Sequence, residues 1–365
     1  MRPRRFFLPT LSRHLVREFV GTFGLTLAAF LAIYILADFF DRIDLFLKND
    51  ASLGAIIRSF LFKLPLVVTQ VTPMAVLAAA LIGLGMLTRQ NEFVALRACG
   101  VSLGQVLAPL LLVAATVAGL VFTWNETVVP YSARRWHEID MLEIRKRGAA
   151  TGFTPGREVW YRGRAGFYNI DRVASGKRTL YGLTVWQVNE RFQPTRVIEV
   201  ATASWTGAEW AMHNVTVREF GAAGVTVQED GARSFVLPET FDDFRVASVE
   251  PEEFSYGMLR RQITHLRRKG VDVSESLVDL HLKLALPAAS IIMMMLAVPL
   301  ATRGTRVSSL AAGIGFGFAI GFSYFFVLAF ARALGQTSTL PPLAAAWLAN
   351  ALFAVVGGYY LLGSD

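Results

Sequence analysis

The sequence predicts a membrane protein with six transmembrane α-helices and an all-β, jelly-roll-like domain inserted between the third and the fourth helix. Three observations lead to this prediction. Apolar runs long enough to cross a bilayer occur in two groups of three, a polar block separates the groups, and apolar residues inside that block recur with a period of two. Only 18% of the 365 residues are charged, against about 25% in a typical soluble protein.

The first group of apolar runs lies within residues 1–131, the predicted N-terminal membrane part. Phe19–Ala37 contains no charged residue. At about 1.5 Å per residue it is just long enough to cross a hydrocarbon core of about 30 Å. Transmembrane helices are therefore predicted at about residues 19–37, 64–88 and 101–125.

The segment Ser52–Phe62, which precedes the second of these helices, has apolar residues at helical spacing. Two structures account for this pattern. The segment is either a separate amphipathic helix that lies along the membrane interface or the early start of the second transmembrane helix. The pattern alone leaves both open.

The polar block is Ser132–Glu275, which contains 21 of the 36 Lys and Arg residues and 19 of the 28 Asp and Glu residues. Apolar residues alternate along several short stretches separated by Gly, Asn and Pro, as in a β-sandwich or jelly roll. A return helix is predicted at about residues 252–269, because acidic residues begin this stretch and a basic cluster ends it before Gly270. The predicted strands are Glu158–Val173, Thr179–Asn189, Thr195–Thr206, Glu209–Phe220 and Gly224–Gln228.

The last membrane part, residues 276–365, has predicted helices at about 284–302, 307–331 and 343–362. The fifth helix of the chain carries three glycines at intervals of four residues, which allow another helix to approach closely. The approaching helix belongs either to this chain or, at a lateral gate, to a partner chain. The three glycines are Gly313, Gly317 and Gly321.

The distribution of Lys and Arg in the short loops predicts the orientation. Nine of these residues lie on the side of the N-terminus and five on the opposite side, which favours cytoplasmic termini. The β-domain is then periplasmic, and the chain is predicted to lie in the inner membrane of a Gram-negative cell. Most of the net charge of +8 belongs to loops that flank membrane helices, so nucleic acid is not an expected partner.

No motif for a cofactor, a metal or a catalytic centre is recognisable. The sequence has no phosphate-binding loop, no metal spacing among its five histidines and no Gly-x-Ser-x-Gly. The middle of each predicted helix also lacks a carboxylate that could relay protons, so energy for transport is expected from a partner. A membrane enzyme acting on lipids is the weaker alternative, with Asp38, Asp41 and Asp44 as its candidate site.

A charged stretch of unusual pattern joins the second and third helices. TRQNEFVALRACGVS (Thr88–Ser102) predicts a short amphipathic helix at about 89–100, which contains Glu92 and Arg97 and ends at Gly100. Such a stretch is either a solvated connection or a coupling helix, the element through which permeases of ABC transporters contact their ATPases.

Three longer stretches resemble one family, the LptF/LptG permeases of lipopolysaccharide export, and the resemblance extends over essentially the whole chain. The GLGML run and the fourth helix are more similar to the G-type member. The three stretches are LIGLGMLTRQNEFVALRACGVSLGQV, VEPEEFSYGMLRRQITHLRRKG and KLALPAASIIMMMLAVPLATRGTR.

This resemblance implies a permease subunit of an ATP-driven exporter that extracts lipopolysaccharide from the inner membrane and passes it to a periplasmic bridge. The implied partners are a sister permease in a heterodimer, a dimeric cytoplasmic ATPase of LptB type and a single-span jelly-roll subunit of LptC type. Lipopolysaccharide would enter between the first and fifth helices. Glu92 matches the glutamate that contacts the ATPase, with Arg89 and Arg97 beside it.

The family places basic residues at the outer end of the first helix, where they contact lipid A phosphates. This sequence departs from that pattern, because Asp38, Asp41 and Asp44 surround its one arginine there. The alternative role for the remaining cations is ordinary anchoring at the interface. The candidate substrate-binding residues are Arg42, Lys48, Lys63, Arg134 and Arg135.

A second alternative is a permease of another lipid- or lipoprotein-release system, also coupled to an ATPase. Those permeases carry the periplasmic insertion after their first transmembrane helix. Here three predicted helices precede the insertion, which favours the lipopolysaccharide exporters.

Overall fold

The computed structural model describes residues 9–145, 159–163, 166–174, 178–189, 193–221, 224–235, 237, 239–241, 243–244, 251–268, 272–302 and 310–362. The α-helices in these ranges are α1 (Pro9–Lys48), α2 (Leu53–Arg89), α3 (Glu92–Ala98), α4 (Leu103–Thr127), α5 (Val129–Ile139), α6 (Tyr256–Arg268), α7 (Ser274–Thr302), α8 (Leu310–Gln336) and α9 (Pro342–Leu362). A π-helical turn, Asp140–Ile144, follows α5, and a 3₁₀ turn, Pro251–Glu253, precedes α6. The strands are β1 (Val159–Arg162), β2 (Phe167–Ala174), β3 (Thr179–Val188), β4 (Pro194–Trp205), β5 (Trp210–Gly221) and β6 (Gly224–Phe235).

Six of the described helices, α1, α2, α4, α7, α8 and α9, are long and apolar enough to cross a membrane. The prediction of six transmembrane helices around an all-β insertion is therefore confirmed. The two ends of the helix bundle carry different elements. The α3 end holds the start of α1 and the short helix α3, and the β-domain end holds α5 and the two connections to the strands.

α2 lies at the centre of the bundle, where it contacts α1, α7 and α8. In the most apolar 18-residue segment of α2, 83% of the residues are buried inside the protein. The sequence permits this position, since Ala75, Ala78, Ala79 and Ala80 are small and fully or almost fully buried. Small side chains let neighbouring helices approach closely on several sides.

The second of the two structures considered for Ser52–Phe62 is present. α2 is continuous from Leu53, and the Ser52 side chain accepts a hydrogen bond from the backbone N–H of Ala55 at 3.2 Å, as an N-cap does. Phe60 then packs with Phe46 of α1 and Ile144 of the π-turn. One face of the segment therefore packs against its own chain, Leu53, Ile57 and Leu61 on the other face stay exposed, and the segment is not a separate helix.

A buried polar network joins the last three helices. The Tyr324 hydroxyl of α8 donates to Asn350 Oδ1 of α9 at 2.9 Å, and Asn350 Nδ2 donates to the carbonyl of Ala285 in α7 at 2.8 Å. Hydrogen bonds of this kind hold helices together inside a membrane, where apolar contacts alone give little selectivity.

The described residues of the inserted domain form a six-stranded antiparallel sheet whose strands lie side by side in sequence order. The predicted stretch Glu158–Val173 divides into β1 and β2 around Gly163–Gly166, and Glu158 itself lies outside the described residues. Gly166 has φ +144°, and a Cβ there would overlap the backbone oxygen of Trp186, so the turn requires glycine.

The core of this sheet is formed by residues that alternate along the strands. Tyr168, Leu183 and Trp210 are fully buried, and Phe241 and Phe244, which follow β6, close the same face. The burial pattern of β3 and β5 shows the predicted period of two.

The first residues of the polar block are helical. α5 begins directly after α4 and has Pro130 in its first turn. The π-turn extends this helix to Ile144. The return begins with the 3₁₀ turn, and α6 starts only at Tyr256 because Ser255 Oγ accepts a hydrogen bond from the Met258 backbone at 3.2 Å. α5 and α6 with these turns form the neck between the bundle and the β-domain.

Candidate functional site

The first candidate site is α3, which joins α2 to α4. Asn91 (φ +59°) and Gly100 (φ +81°) adopt left-handed conformations on either side of it, so the chain turns sharply at both ends. Phe93 is buried at 5% exposure and holds the helix against the bundle core. Glu92 and Arg97 are exposed, so the helix is a fixed support for a charged surface.

Glu92 has a neighbour that the sequence did not indicate. His14 Nε2 of α1 lies 3.6 Å from Glu92 Oε2, and both side chains are about half exposed. The two residues are 78 positions apart, so no local pattern connects them. Protonated His14 would attract the carboxylate weakly, because exposed ion pairs are screened by water.

An open groove of about 610 Å³ lies beside this pair, between the first turns of α1, the end of α2 and α3. Its wall is apolar and Glu92 stands at its rim. Arg89, the last residue of α2, is exposed at the same end of the bundle. The lining residues are Thr10, Leu11, His14, Leu15, Leu87, Glu92, Ala95, Leu96 and Cys99. A partner that presents an apolar side chain next to a cation would fit this surface.

At the β-domain end, two of the predicted substrate-binding cations are buried and paired within the chain. Arg42 Nη2 donates to Asp140 Oδ1, and their side chains are 11% and 8% exposed. Lys63 Nζ donates to Asp38 Oδ1 at 2.7 Å. Burial in this setting requires such partners, because an unpaired buried charge is strongly unfavourable.

Trp136 of α5 lies between these two pairs. The Lys63 ammonium is 4.9 Å from the centre of the Trp136 ring, and the Arg42 guanidinium is 5.9 Å from it. Both distances are within the range of a cation–π interaction. Trp136 thereby joins α1, α2 and α5 in one cluster, a role that its position in the sequence does not reveal.

Three other predicted substrate-binding cations are exposed. Lys48 is the last residue of α1. Arg134 is 51% exposed and donates through Nη2 to the carbonyl of Glu253 at 3.3 Å, which joins α5 to the 3₁₀ turn. Arg135 is 50% exposed and lies 2.7 Å from Glu138. A hydrogen bond with Tyr131 and then one with Glu138 raise the pKa of the Arg135 guanidinium.

Two of the three glycines of α8 contact α2 of the same chain. A Cβ on Gly317 would lie 2.8 Å from Ala78 Cβ, and a Cβ on Gly321 would lie 2.6 Å from Met74 Cγ. These distances support the internal-packing alternative at both positions. The surroundings of Gly313 lie outside the described part of the structure. A role of the three glycines at a gate between two chains stays a prediction.

α8 also approaches α1 and carries a row of exposed phenylalanines. The Phe318 ring lies 5.1 Å from the Phe30 ring of α1. Phe322, Phe326 and Phe330 follow at intervals of four residues and are 62% to 68% exposed. Residues at this spacing lie along one side of a helix, so α8 presents a row of exposed aromatic rings, and Phe318 at the start of this row contacts α1.

Comparison with known proteins agrees with this architecture. A family model described as "Lipopolysaccharide export system permease LptF/LptG" matches residues 13–363. The lipopolysaccharide export system permease protein LptG of Escherichia coli K12 is 24% identical over 296 residues, which is 80% of this chain and 80% of the relative. The protein of the same name from Haemophilus influenzae is 21% identical over 352 residues, 95% of this chain and 96% of the relative.

Proposed function

Because this chain belongs to the LptF/LptG family of lipopolysaccharide export permeases, we propose that it is the permease subunit of an ATP-driven exporter that extracts lipopolysaccharide from the inner membrane and passes it to a periplasmic bridge. The observation that carries the proposal is the match over residues 13–363, which includes all six apolar helices and the β-domain. Both relatives carry the name LptG, and we infer that this chain is the G-type member.

In the proposed orientation, the α3 end faces the cytoplasm and the β-domain lies in the periplasm. Arg13 and Arg17 of α1 and Arg89 and Arg97 beside α3 are exposed at the α3 end. Basic residues favour the cytoplasmic side of a membrane protein, which supports this orientation.

ATP hydrolysis is assigned to a separate dimeric cytoplasmic ATPase of LptB type. α3 is suited to contact it, since Phe93 anchors the helix while Glu92 stays exposed beside an apolar groove. A cation of the ATPase would pair with Glu92, and Arg89 and Arg97 would contact its acidic groups. A short helix fixed at both ends transmits a displacement of the ATPase to α2 and α4.

The lipid path is proposed to run along the surface shared by α1 and α8. The acyl chains would contact the phenylalanine row that includes Phe322 and Phe326, and a sister permease would close the opposite side. The lipid phosphates would meet exposed cations at the β-domain end, namely Lys48, Arg134 and Arg135. Arg42 and Lys63 are less available, because a phosphate would have to displace Asp140 or Asp38.

Two further partners complete the proposal. The sister permease forms a heterodimer with this chain, and a single-span jelly-roll subunit of LptC type receives lipid on the periplasmic side. Much of α1 is available for these contacts, because only 17% of its most apolar window is buried within the chain.

Reconstitution tests the proposal. The chain is co-expressed with candidate sister permease and ATPase subunits, purified in detergent and placed in vesicles that contain lipopolysaccharide. We expect the three proteins to co-purify and ATP to drive lipopolysaccharide release to a periplasmic acceptor. Vesicles that contain a triacylated lipoprotein serve as the matched control. Release of the lipoprotein alone would support the other lipid-release class, and lack of any ATPase association would contradict the proposal.

A further inference from the structure

The neck of the β-domain is tied to α1 by a buried ion cluster, here called the Asp140 cluster, which consists of Arg42, Asp140 and Arg145. Arg42 of α1 pairs with one carboxylate oxygen of Asp140, and Arg145 Nε donates to the other at 2.8 Å. Asp140 is the first residue of the π-turn and its side chain is 8% exposed. One carboxylate therefore holds a cation from the transmembrane helix and a cation from the neck.

The π-turn is what brings Arg145 to Asp140. In an α-helix, each residue is rotated by about 100° from the previous one, so residue i+5 does not lie above residue i. A π-turn closes its hydrogen bonds between these two positions. The Arg145 backbone N–H donates to the Asp140 carbonyl at 2.8 Å. The side chains of the same two residues form a second hydrogen bond, from Arg145 Nε to Asp140 Oδ2. A change from π to α geometry would rotate Arg145 away from the carboxylate.

The hydrogen bonding around this cluster is incomplete. Arg42 Nη1, Asp38 Oδ2 and Trp136 Nε1 are buried and have no hydrogen-bond partner within the described ranges. A partly satisfied polar network differs from a fixed core, in which every buried polar group is bonded. The contact between α1, α2 and the neck therefore holds polar groups with unused hydrogen-bonding capacity.

We propose that Asp140 is a positioning residue that makes the neck, and with it the β-domain, follow movements of the outer half of α1. When α1 moves to admit lipid, Arg42 moves with it and draws Asp140 and α5. His137 of α5 contacts Glu253 of the 3₁₀ turn at 2.6 Å, and His265 of α6 lies 3.9 Å from Asp243, which follows β6, so the neck passes the displacement to the β-domain. This inference rests on the proposed function, which places the lipid path beside α1, and adds that α1 moves when lipid enters. It assigns Asp140 and Arg145 a role in lipid transfer that does not require contact with lipid.

The structure contains a matched control for this role. Arg58 of α2 and Glu143 of the π-turn form an ion pair at 2.6 Å that also joins the bundle to the neck, but their side chains are 55% and 36% exposed. Exposed pairs contribute little because water screens them. Neutralising Glu143 therefore changes the charge of the same turn without disturbing the buried link to α1.

The test measures the coupling between α1 and the β-domain in the assembled complex. With Cys99 replaced by serine, spin labels are attached to Leu47→Cys on α1 and Val225→Cys on β6, both of which are exposed. The distance between the labels is recorded with and without ATP. We expect one nucleotide-dependent shift in the parent protein and in Glu143→Gln. In Asp140→Asn the distance distribution should broaden and its shift should disappear, whereas Asp140→Glu should restore it.

Lipid release from the same samples provides the second readout. We expect Asp140→Asn to lower ATP-driven release by about tenfold, which is within the usual range of coupling between linked sites, with basal ATP hydrolysis unchanged. Arg145→Gln, at a partly exposed position, should give the same pattern if Asp140→Asn does not fold.

The two readouts separate this inference from the proposed function. An unchanged distance shift in both Asp140→Asn and Arg145→Gln would overturn the inference, even if the parent protein releases lipopolysaccharide. A lost shift in these variants, together with no lipopolysaccharide release by the parent protein, would support the coupling and contradict the proposed function instead.

Discussion

α1 and α2 are consecutive antiparallel helices of 40 and 37 residues, yet they occupy opposite positions in the molecule. In the most apolar 18-residue segment of each helix, 17% of the residues of α1 are buried and 83% of those of α2. Both segments are strongly apolar. Hydropathy therefore does not decide which helix becomes the centre of the bundle. Side-chain size alone does not decide it either, because α1 also contains Gly21, Gly24, Ala28 and Ala29. The central position of α2 follows from the packing of α1, α7 and α8 around it.

The two helices also have different proposed roles in transport. α2 continues into α3 and forms a fixed connection between the bundle core and the proposed ATPase surface. One side of α1 packs on α2 along its middle, through Phe30 and the hydrogen bond that Thr26 Oγ1 donates to the Ala75 carbonyl at 3.1 Å, and the charged cluster around Arg42 holds its outer part. The opposite side of the helix is left to contact lipid or another chain. The predictions below test this contrast.

The largest effect is expected for Glu92→Lys, at the point where the central helix meets the proposed ATPase. The reversed charge would repel the cation that Glu92 attracts. We expect ATP-driven lipopolysaccharide release to be abolished while thermal stability is unchanged, since Glu92 is exposed. Co-purification of the ATPase and release from vesicles measure the effect. Normal ATPase binding together with normal release would refute the coupling role.

Lys63→Ala should cause the largest loss of stability, because it leaves Asp38 buried without its cation. Removal of one partner from a buried pair costs about 3–5 kcal/mol. Arg58→Ala, at an exposed pair on the same helix, should cost less than about 1 kcal/mol. Thermal unfolding in detergent compares the two variants. Equal losses would mean that the buried pair contributes no more than the exposed one.

Gly317→Leu should disturb the contact between α8 and α2. Its side chain would overlap Ala78, and forced overpacking typically costs about 1–3 kcal/mol. Gly315→Leu is the control, since no atom lies within 4 Å of a Cβ at that position. Unfolding temperatures of both variants are compared. Cysteine crosslinks from this face that form only to a partner chain would show instead that the stripe serves a gate.

Replacement of Arg134 and Arg135 together with Glu should reduce lipopolysaccharide-stimulated ATP hydrolysis more than basal hydrolysis. The two exposed guanidinium groups can bind phosphate in bidentate geometry, and the reversed charge would repel it. ATPase assays with and without lipopolysaccharide measure the ratio. Equal loss of both activities would indicate a folding defect, and no change would indicate that these residues only anchor α5 at the interface.

The smallest effect is expected for Leu25→Ala on α1. Leu25 is 55% exposed, so its truncation creates no cavity, and the free energy of unfolding of the isolated chain should change by less than about 0.5 kcal/mol. If α1 contacts the sister permease at this position, the same variant should weaken heterodimer formation. A large loss of stability in the isolated chain would contradict the peripheral position of α1.

Local properties of the sequence determined most of the architecture. Runs of apolar residues are long enough to identify six membrane helices, and the period of two identifies strands that agree closely with β3 to β5. The pattern around Glu92 and Gly100 also predicts α3, because caps, charges and a terminal glycine lie within a few residues of one another. Family resemblance follows from the same stretches and is confirmed by the match over residues 13–363.

Tertiary structure alone decided which residues meet. Arg42 and Asp140 are separated by 98 positions, and neither hydropathy nor spacing shows that the cation predicted to bind lipid also pairs with a carboxylate of its own chain. The π-turn, the position of Gly317 against α2 and the early start of α2 depend likewise on contacts between distant segments. The physical reason is that periodicity reports the surroundings of one element, whereas the pairing of buried charges depends on how several elements pack together.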